Sequence, residues 1–351
     1  MRRLVVLLVL VVSQTAACGG SDGGATGRSV KTVDGLVAWI ATHREHVGLV
    51  VKNAEGKTIV ALNPDALFPL ASTRKVLILG ALAAAVDAGR EKPDAPVSLP
   101  DIDHWFVGLD GGAHDRAMDD LRRRDRVVGE TVTLADVAWA MTRFSSNAAA
   151  DYLLDRVGGS GATSAFAAAA GMVAQEPLFP IAAEFSMWSA EPDRWLEMSP
   201  VERVVAAEQL VSHTQSWPRP GSIDRVGELA RASVRGTPAE WAELMSRLQR
   251  GTVLGREGLT FARAALNWPL ELNPGRFAEF GTKGGSLPGV ITEASFVKAT
   301  HGSPVALALF FRDLPADVES TLSGSRTQQA LIIRVAEDDA FRRRLRARLN
   351  R

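Results

Sequence analysis

The order of strand-like and helix-like segments constrains the fold of this chain more than any single motif. Two short apolar runs near the N-terminus, 47–51 and 58–62, predict two strands joined by a hairpin turn. Three further strand-like runs come only near the C-terminus, at 277–286, 290–297 and 304–311. Most of the chain between these groups has helical patterns. The simplest way to bury both groups is one antiparallel sheet that joins them.

We therefore predict an α+β fold with a five-stranded antiparallel sheet, N- and C-terminal helices that flank the sheet, and a separate all-helical lobe. A first amphipathic helix is expected over 33–46 and a single closing helix over 327–348. A chain of 351 residues is long enough for such a core. The predicted domain covers residues 30–351, with an α/β lobe at 30–70 and 276–351 and a helical lobe at 71–275.

Two parts of the helical lobe are rich in proline or glycine and are predicted to lack regular structure. Residues 90–129 contain three prolines and a Gly-Gly pair, and residues 171–200 contain four prolines. We interpret the first as an excursion on the surface and the second as a long, partly ordered loop. His114 and Asp115 lie in the first stretch and are interpreted as polar loop residues.

Ser72 and Lys75 stand three residues apart, where a proline-containing loop gives way to an apolar helical pattern. At this spacing the hydroxyl and the amine share one face of a helix. Ser72 would lie in the first turn, where unpaired N–H groups and the helix dipole favour a developing anion. A desolvated lysine can accept the proton of a neighbouring serine. Taken alone, however, the pattern more often describes a helix-capping serine and a surface lysine, because Ser-x-x-Lys occurs by chance in most chains of this length.

Two later motifs change that interpretation. Ser145-Ser-Asn147 falls in a short connection between two apolar helices, and Lys283-Gly-Gly285 lies on a strand-like run. With Ser72-x-x-Lys75, they resemble the S-x-x-K, S-D-N and K-T-G signature of class A β-lactamases and penicillin-binding proteins. The resemblance extends from about residue 33 onward. It implies the fold and the acyl-enzyme chemistry of that superfamily of active-site serine hydrolases.

The resemblance implies a catalytic role for three residues. Ser72 would attack a carbonyl carbon and form an acyl-enzyme, and Lys75 would accept its proton. Ser145 would relay a proton to the departing nitrogen. Burial and the charge of Lys283 would lower the pKa of Lys75.

The same resemblance implies how a substrate would be held. Asn147 would bind the substrate amide, and Lys283 would attract a substrate carboxylate. Gly285 would let the substrate backbone lie close to the strand. The backbone N–H groups of Ser72 and Ser286 would form the oxyanion hole.

The chain departs from the family pattern at three places. Ser146 replaces an aspartate that braces the turn, and Gly284 replaces a threonine or serine whose hydroxyl would bind the carboxylate. A class A enzyme also carries a glutamate that positions the deacylating water. Glu176 and Glu184 are the candidates here, but neither has the family's Glu-x-x-Leu-Asn setting. Efficient lactam hydrolysis is therefore in question, whereas acylation is expected.

The N-terminus has the pattern of a secretory signal. Met1-Arg-Arg is basic, residues 4–12 are apolar, and a run of small residues follows. Nine apolar residues are too few to span a bilayer, which takes about twenty. Thr15-Ala-Ala-Cys18 resembles a bacterial lipobox, and Cys18 is the only cysteine, so it has no disulfide partner. We predict a lipoprotein signal peptide at 1–17, lipidation of Cys18 and a flexible tether at 18–29; ordinary secretion is the alternative.

The expected protein is a lipid-anchored, extracytoplasmic serine hydrolase, attached to the outer face of the membrane and acting on a small-molecule or peptidoglycan-like substrate. Alternatives are a D-Ala-D-Ala carboxypeptidase or esterase on the same fold, or a catalytically weak cell-envelope binding protein. The formal net charge is zero, which gives no electrostatic basis for binding nucleic acid. We expect no metal and no cofactor, and we expect a monomer.

Overall fold

The computed structural model describes residues 27, 29–214, 217 and 220–349. The predicted signal peptide 1–17 and Cys18 lie outside these residues, as does most of the predicted tether. Among the described residues, no helix combines the length and apolar character needed to cross a bilayer.

The sheet is antiparallel and five-stranded, as predicted. Its strands are β1 (Val47–Lys52), β2 (Thr58–Leu62), β3 (Phe277–Leu287), β4 (Val290–Ala299) and β5 (Val305–Phe311). The spatial order is β2-β1-β5-β4-β3, so the last strand in sequence pairs with the first and closes the two groups into one sheet. Strand β3 lies at the edge that is farthest from the N-terminal hairpin.

The two faces of the sheet belong to two separate hydrophobic clusters. In β5, Leu307 and Leu309 face the terminal helices, whereas Ala306, Ala308 and Phe310 face the opposite cluster, which continues into the helical lobe. This alternation is the period-two pattern of a strand with both faces buried.

Helices account for most of the remaining chain. In order they are α1 (Val33–Thr42), α2 (Lys75–Asp87), α3 (Leu99–Asp103), α4 (Ala113–Arg123), α5 (Leu134–Trp139), α6 (Asn147–Arg156), α7 (Gly159–Ala169), α8 (Ile181–Ala190), α9 (Pro192–Glu197), α10 (Pro200–His213), α11 (Val226–Arg231), α12 (Pro238–Arg250), α13 (Arg256–Leu266), α14 (Pro269–Leu272), α15 (Ala316–Ser325), α16 (Thr327–Glu337) and α17 (Asp339–Leu349). Short 3₁₀ turns at Arg44–His46 and Ala71–Arg74 and a π turn at Ala140–Phe144 complete the helical segments. Two-stranded ribbons pair Phe68–Pro69 with Arg235–Gly236 and Pro96–Ser98 with Thr131–Thr133.

Helix α2 is the central helix of the lobe and is buried on all sides. Its residues from Lys75 to Val86 are buried except Ala84, which fits a helix that is apolar all round. Two glycines permit close packing on it: a Cβ at Gly80 would lie 2.1 Å from the Phe166 ring, and one at Gly258 would lie 2.3 Å from the Ala83 carbonyl oxygen. The start of α2 is therefore held rigidly in the interior.

Helix α12 packs on the sheet even though it falls within the range assigned to the helical lobe. Trp241 of this helix meets Phe310 of β5 with ring centroids 6.3 Å apart. A Cβ at Gly48 in β1 would lie 2.4 Å from the Pro238 ring. The sheet is thus covered on both faces.

The prediction that 171–200 is irregular is wrong, because α8 and α9 occupy much of it. Three of its four prolines stand at helix starts rather than in helix interiors: Pro180 is the N-cap of α8, Pro192 is the first residue of α9 and Pro200 is the first residue of α10. Proline is tolerated at these positions, where its missing N–H would lack an intrahelical partner anyway.

The prediction for 90–129 is wrong in the same way, since this stretch contains α3 and α4.

The prediction of a single closing helix is also wrong, because two helices, α16 and α17, occupy this stretch. They are separated at Asp338, which has an extended conformation and caps the N–H of Phe341.

Candidate active site

The amine of Lys75 is the centre of a polar cluster between the two parts of the molecule. Its Nζ lies 3.2 Å from Ser72 Oγ, 2.7 Å from the carbonyl oxygen of Ser145 and 2.7 Å from Asn147 Oδ1. It also lies 3.2 Å from Ser145 Oγ. The structure therefore brings together Ser72, Lys75, Ser145 and Asn147, which the sequence singled out.

Two residues at this cluster have a left-handed backbone although neither is glycine. Ala71, immediately before Ser72, has φ of 46°, and Ser145 has φ of 66°. Non-glycine residues in this left-handed region cost about 1–3 kcal/mol each and persist where neighbouring structure holds them. Lys75 stabilises this conformation at Ser145, because its amine donates a hydrogen bond to the Ser145 carbonyl oxygen.

Burial is the largest cause that lowers the pKa of Lys75 well below its ordinary value, and the positive charge of Lys283 is the second. Arg74 lowers this pKa further, while the carboxylates of Asp110 and Asp151 raise it. The net effect favours a neutral amine, which has a lone pair available for a proton.

Lys283 enters the cluster from strand β3. Its Nζ donates to Ser145 Oγ at 3.0 Å, so the Ser145 hydroxyl bridges the two lysines. Burial lowers the pKa of Lys283 to about 8, and the charge of Glu293 opposes this shift. Lys283 therefore keeps its positive charge at neutral pH.

Strand β3 touches the backbone of the Ala71–Arg74 turn at Gly285. A Cβ at Gly285 would lie 2.5 Å from the Ser72 nitrogen and 2.9 Å from the Thr73 nitrogen, so only glycine fits without displacing the turn. The Thr73 and Thr292 hydroxyls are 2.8 Å apart, and Thr292 donates to the Leu70 carbonyl oxygen. These contacts fix the Ser72 turn against the sheet.

Glu293 of β4 stands directly across from Gly284. A Cβ at Gly284 would lie 3.0 Å from Glu293 Oε2, so this buried carboxylate takes the space in which a larger residue would stand. Gln329 donates to Glu293 Oε1 at 3.0 Å. Burial raises the pKa of Glu293, whereas Gln329 and Lys283 act in the opposite direction. Ser286, two residues further along β3, is exposed.

Glu184, one of the two candidate glutamates, is held in a buried ion pair. Its Oε2 accepts from Arg74 at 2.6 Å and its Oε1 accepts from the Ser233 hydroxyl at 2.6 Å. Arg74 directly precedes Lys75, so this pair lies immediately beside the cluster.

The other candidate, Glu176, is engaged by Arg235. Its Oε1 accepts from the guanidinium at 2.6 Å and its Oε2 accepts from the Arg235 backbone N–H at 2.8 Å. A third carboxylate, Asp151, accepts from the N–H groups of Ile181 and Ala182 at the start of α8. Burial raises the pKa of Asp151 to about 6, although these two N–H groups oppose the shift.

His114 was interpreted as a loop residue, but it lies in helix α4 and is only 3% exposed. Its Nδ1 is 3.0 Å from Ser146 Oγ and its Nε2 is 2.8 Å from Asp103 Oδ1. The sequence spacing indicates this burial. His114, Met118 and Leu121 are four and three residues apart, which places them on one face of a helix. In the part of the chain that the structure describes, no group of three or more His, Cys, Asp or Glu side chains could hold a metal ion.

We predict that replacing Arg74 with methionine lowers the free energy of unfolding by about 3–5 kcal/mol, because Glu184 would remain buried without its partner. The double variant Arg74→Met/Glu184→Met should lose less, since it removes both charges. Chemical denaturation of the wild type, Arg74→Met, Glu184→Met and the double variant measures the coupling.

Arg235→Met is the matched control. The Arg235 side chain is 36% exposed, so its loss is expected to cost no more than about 1 kcal/mol. Equal losses for Arg74→Met and Arg235→Met would contradict a special role for the buried pair.

Solved structures with the same fold include β-lactamases from several bacteria. The one from Chitinophaga pinensis is 17% identical, with 85% of this chain and 99% of that chain covered and a TM-score of 0.55. The one from Sphaerobacter thermophilus is 21% identical, with 86% and 97% covered and a TM-score of 0.52. A chromosome-encoded β-lactamase of Vibrio parahaemolyticus is 15% identical, with 86% and 98% covered and a TM-score of 0.55.

At these identities the likeness establishes the fold. The family assignment comes from a sequence model described as the beta-lactamase enzyme family, which matches residues 31–338. That range includes the whole sheet, the helical lobe and every residue of the polar cluster. The chain therefore belongs to the beta-lactamase enzyme family.

Proposed function

We propose that this protein is a serine hydrolase that forms an acyl-enzyme on Ser72 with an amide or β-lactam substrate. The observation that carries the proposal is the position of Lys75, whose buried amine lies 3.2 Å from Ser72 Oγ. A candidate base must lie within hydrogen-bond reach of the proton it abstracts, and a lowered pKa favours its neutral form, which can accept that proton.

The hydrogen bonds of Lys75 favour proton transfer from Ser72. A neutral amine has two N–H groups and one lone pair. The two closest contacts, at 2.7 Å, are to Ser145 O and Asn147 Oδ1, which accept hydrogen bonds. Both N–H groups are thereby used, which leaves the lone pair to the two hydroxyls at 3.2 Å, those of Ser72 and Ser145; in the proposed step it takes the proton of Ser72.

Acylation then proceeds by attack of Ser72 Oγ on the substrate carbonyl carbon while its proton moves to Lys75. The new C–O bond forms, and the amide C–N bond breaks when the tetrahedral intermediate collapses. Ser145, which bridges the two lysines, passes a proton from Lys75 to the departing nitrogen. Lys283 remains charged and stabilises the anionic intermediate.

Substrate binding is assigned to the groups at the open side of the cluster. The N–H groups of Ser72 and Ser286 form the oxyanion hole, and Gly285 keeps β3 close to the Ser72 turn. Asn147 Oδ1 accepts from Lys75, which leaves the two amide N–H groups of Asn147 to donate to a substrate carbonyl.

We further propose that the acyl-enzyme is long-lived. Glu184, Glu176 and Asp151 each have both carboxylate oxygens engaged by structural donors. Each oxygen could accept a second hydrogen bond, but these donors hold the carboxylates in structural pairs, so none is free to move toward a water beside Ser72. Slow turnover follows from this arrangement.

Incubation with a fluorescent penicillin is expected to add the mass of the opened lactam to the intact protein, located on Ser72 by peptide mapping. The adduct should persist for many minutes, because no carboxylate is available to activate water. Ser72→Ala should give no adduct, and Lys75→Ala should slow its formation by at least about a hundredfold.

Other outcomes distinguish the alternatives. Rapid hydrolysis without an adduct would identify an efficient β-lactamase and refute slow turnover. Release of D-alanine from a D-Ala-D-Ala peptide would identify a carboxypeptidase, and turnover of simple esters without lactam reaction would identify an esterase. Failure to react with any acyl donor or with a fluorophosphonate would identify a binding protein.

The acylation rate is expected to fall as the pH rises above about 8, where Lys283 loses its proton. The rate needs a neutral Lys75, which high pH favours, and a charged Lys283, which high pH removes. Stopped-flow acylation between pH 6 and pH 10 measures the profile. An arginine at position 283 keeps its charge throughout this range, so the acylation rate of Lys283→Arg should not decline at high pH. A decline that remains in this variant would point to another group.

We also propose that the protein is anchored outside the cytoplasm by lipidation of Cys18. The basis is the sequence alone, in which an n-region and a short apolar segment precede a lipobox-like Thr15-Ala-Ala-Cys18. Several acyl chains would give stable attachment, since each buried CH₂ contributes about 0.8 kcal/mol.

Cys18→Ser is expected to move the protein from the membrane pellet to the soluble fraction of the expressing bacterium. Fractionation with immunoblotting measures this, and metabolic labelling with a palmitate analogue reports lipidation directly. Membrane association that is unchanged in Cys18→Ser would contradict the anchor.

A further inference from the structure

Three polar side chains form a hydrogen-bonded chain beneath the turn that carries Ser145 and Asn147. Asp103 Oδ1 lies 2.8 Å from His114 Nε2, and His114 Nδ1 lies 3.0 Å from Ser146 Oγ. Ser146 is fully buried, whereas the Asp103 side chain is 58% exposed. The chain thus runs from the surface to the residue between two members of the polar cluster.

The available protons fix the direction of these hydrogen bonds. Ser146 Oγ accepts the N–H of Ala149 at 3.1 Å and so caps helix α6. Its single hydroxyl proton then needs an acceptor, which a neutral imidazole provides at Nδ1. The remaining ring proton lies on Nε2 and is donated to Asp103. All three groups are satisfied only in this arrangement.

We propose that His114 is a positioning residue for acylation: it fixes the Ser146 hydroxyl and thereby the turn whose Ser145 and Asn147 oxygens hold Lys75. This inference rests on the proposed acyl-enzyme function of Ser72. Ser145 O and Asn147 Oδ1 are the two closest partners of the Lys75 amine, on either side of Ser146. A change in the Ser146 conformation would move both.

The strained backbone at Ser145 is the reason that such support is needed. Its left-handed conformation, with φ of 66°, lies directly before the N-cap of α6. Strained conformations relax when neighbouring contacts are lost. Ser146 holds the far side of this residue through its cap to Ala149, through its own N–H to the Ala140 carbonyl and through His114.

His114 is itself held rigidly. Asp110 accepts its backbone N–H at 2.9 Å at the start of helix α4, and the Phe106 ring lies against the imidazole with a centroid distance of 4.8 Å. The orientation of the ring is therefore set by Asp103, Phe106 and the helix, so the imidazole can impose its position on Ser146.

The order Asp103–His114–Ser146 is that of a hydrolase triad, but Ser146 is not a nucleophile. Its hydroxyl is fully buried and already accepts the Ala149 N–H. No substrate carbonyl could reach this oxygen without unfolding the start of α6. The same three groups instead act as a support.

The test compares His114→Asn with His114→Leu, two side chains of similar shape. Asparagine places its Oδ1 the same number of bonds from Cβ as the histidine Nδ1, so it restores an acceptor for Ser146, whereas leucine does not. The second-order acylation rate with the fluorescent penicillin should fall about tenfold in His114→Leu and stay within about threefold of wild type in His114→Asn. The loss should appear in the acylation rate constant rather than in the affinity for the probe. Equal rates in the two variants would overturn the proposal.

Ser146→Ala provides the second arm. In the Ser146→Ala protein, His114 Nδ1 has no hydroxyl to hold. Adding His114→Leu should therefore not lower the acylation rate further. Thermal melting of each protein separates loss of folding from loss of positioning. An additional decrease in the double variant would show that His114 acts by another route.

A ¹⁵N NMR spectrum of the histidine side chains tests the inferred contact of His114 independently of the proposed function. If wild type forms no adduct, the proposed function fails, yet the inferred contact still requires that His114 carry its proton on Nε2 and not on Nδ1 at neutral pH. If wild type reacts but His114 is protonated on Nδ1, the positioning role fails and the acyl-enzyme function stands.

Discussion

The desolvation of one lysine is the constraint on which the rest of the site depends. A buried ammonium costs several kcal/mol unless hydrogen bonds and neighbouring charges compensate, so the amine of Lys75 is poised to be neutral. Ser145 O and Asn147 Oδ1 both accept from it, and Lys283 opposes its charge. A helix buried on all sides delivers this amine, and a glycine contact with β3 keeps the Ser72 turn in place. The catalytic potential is thus a consequence of packing as much as of residue identity.

The charges around that lysine are arranged in separate pairs. Arg74 neutralises Glu184, and Lys283 lies near Glu293. The three candidate carboxylates, those of Glu176, Glu184 and Asp151, already accept hydrogen bonds from structural donors. In the proposed mechanism Lys75 is the base for acylation, whereas deacylation would require one of these pairs to open. Acylation and deacylation would then depend on different sets of residues.

The sequence predicted the sheet and the polar cluster because both are marked by local patterns. Ser72-x-x-Lys75 stands at a helix start, and the strand runs are apolar and bounded by turns. The sequence did not predict α8, because Pro180 and Pro192 were interpreted as helix breakers although they stand at helix starts. Nor could it pair Arg74 with Glu184, which are 110 residues apart and meet only through tertiary packing. His114 was recognisable from its helical spacing, but its contact with Ser146 was not.

The carboxylate of Glu293 beside Gly284 has a consequence for how this site could change during evolution. A threonine or serine at position 284 would place its Cβ 3.0 Å from Glu293 Oε2, so the end of the Glu293 side chain would have to give by a few tenths of an ångström. Substitutions at positions 284 and 293 are therefore expected to be coupled, because each changes the space that the other side chain needs.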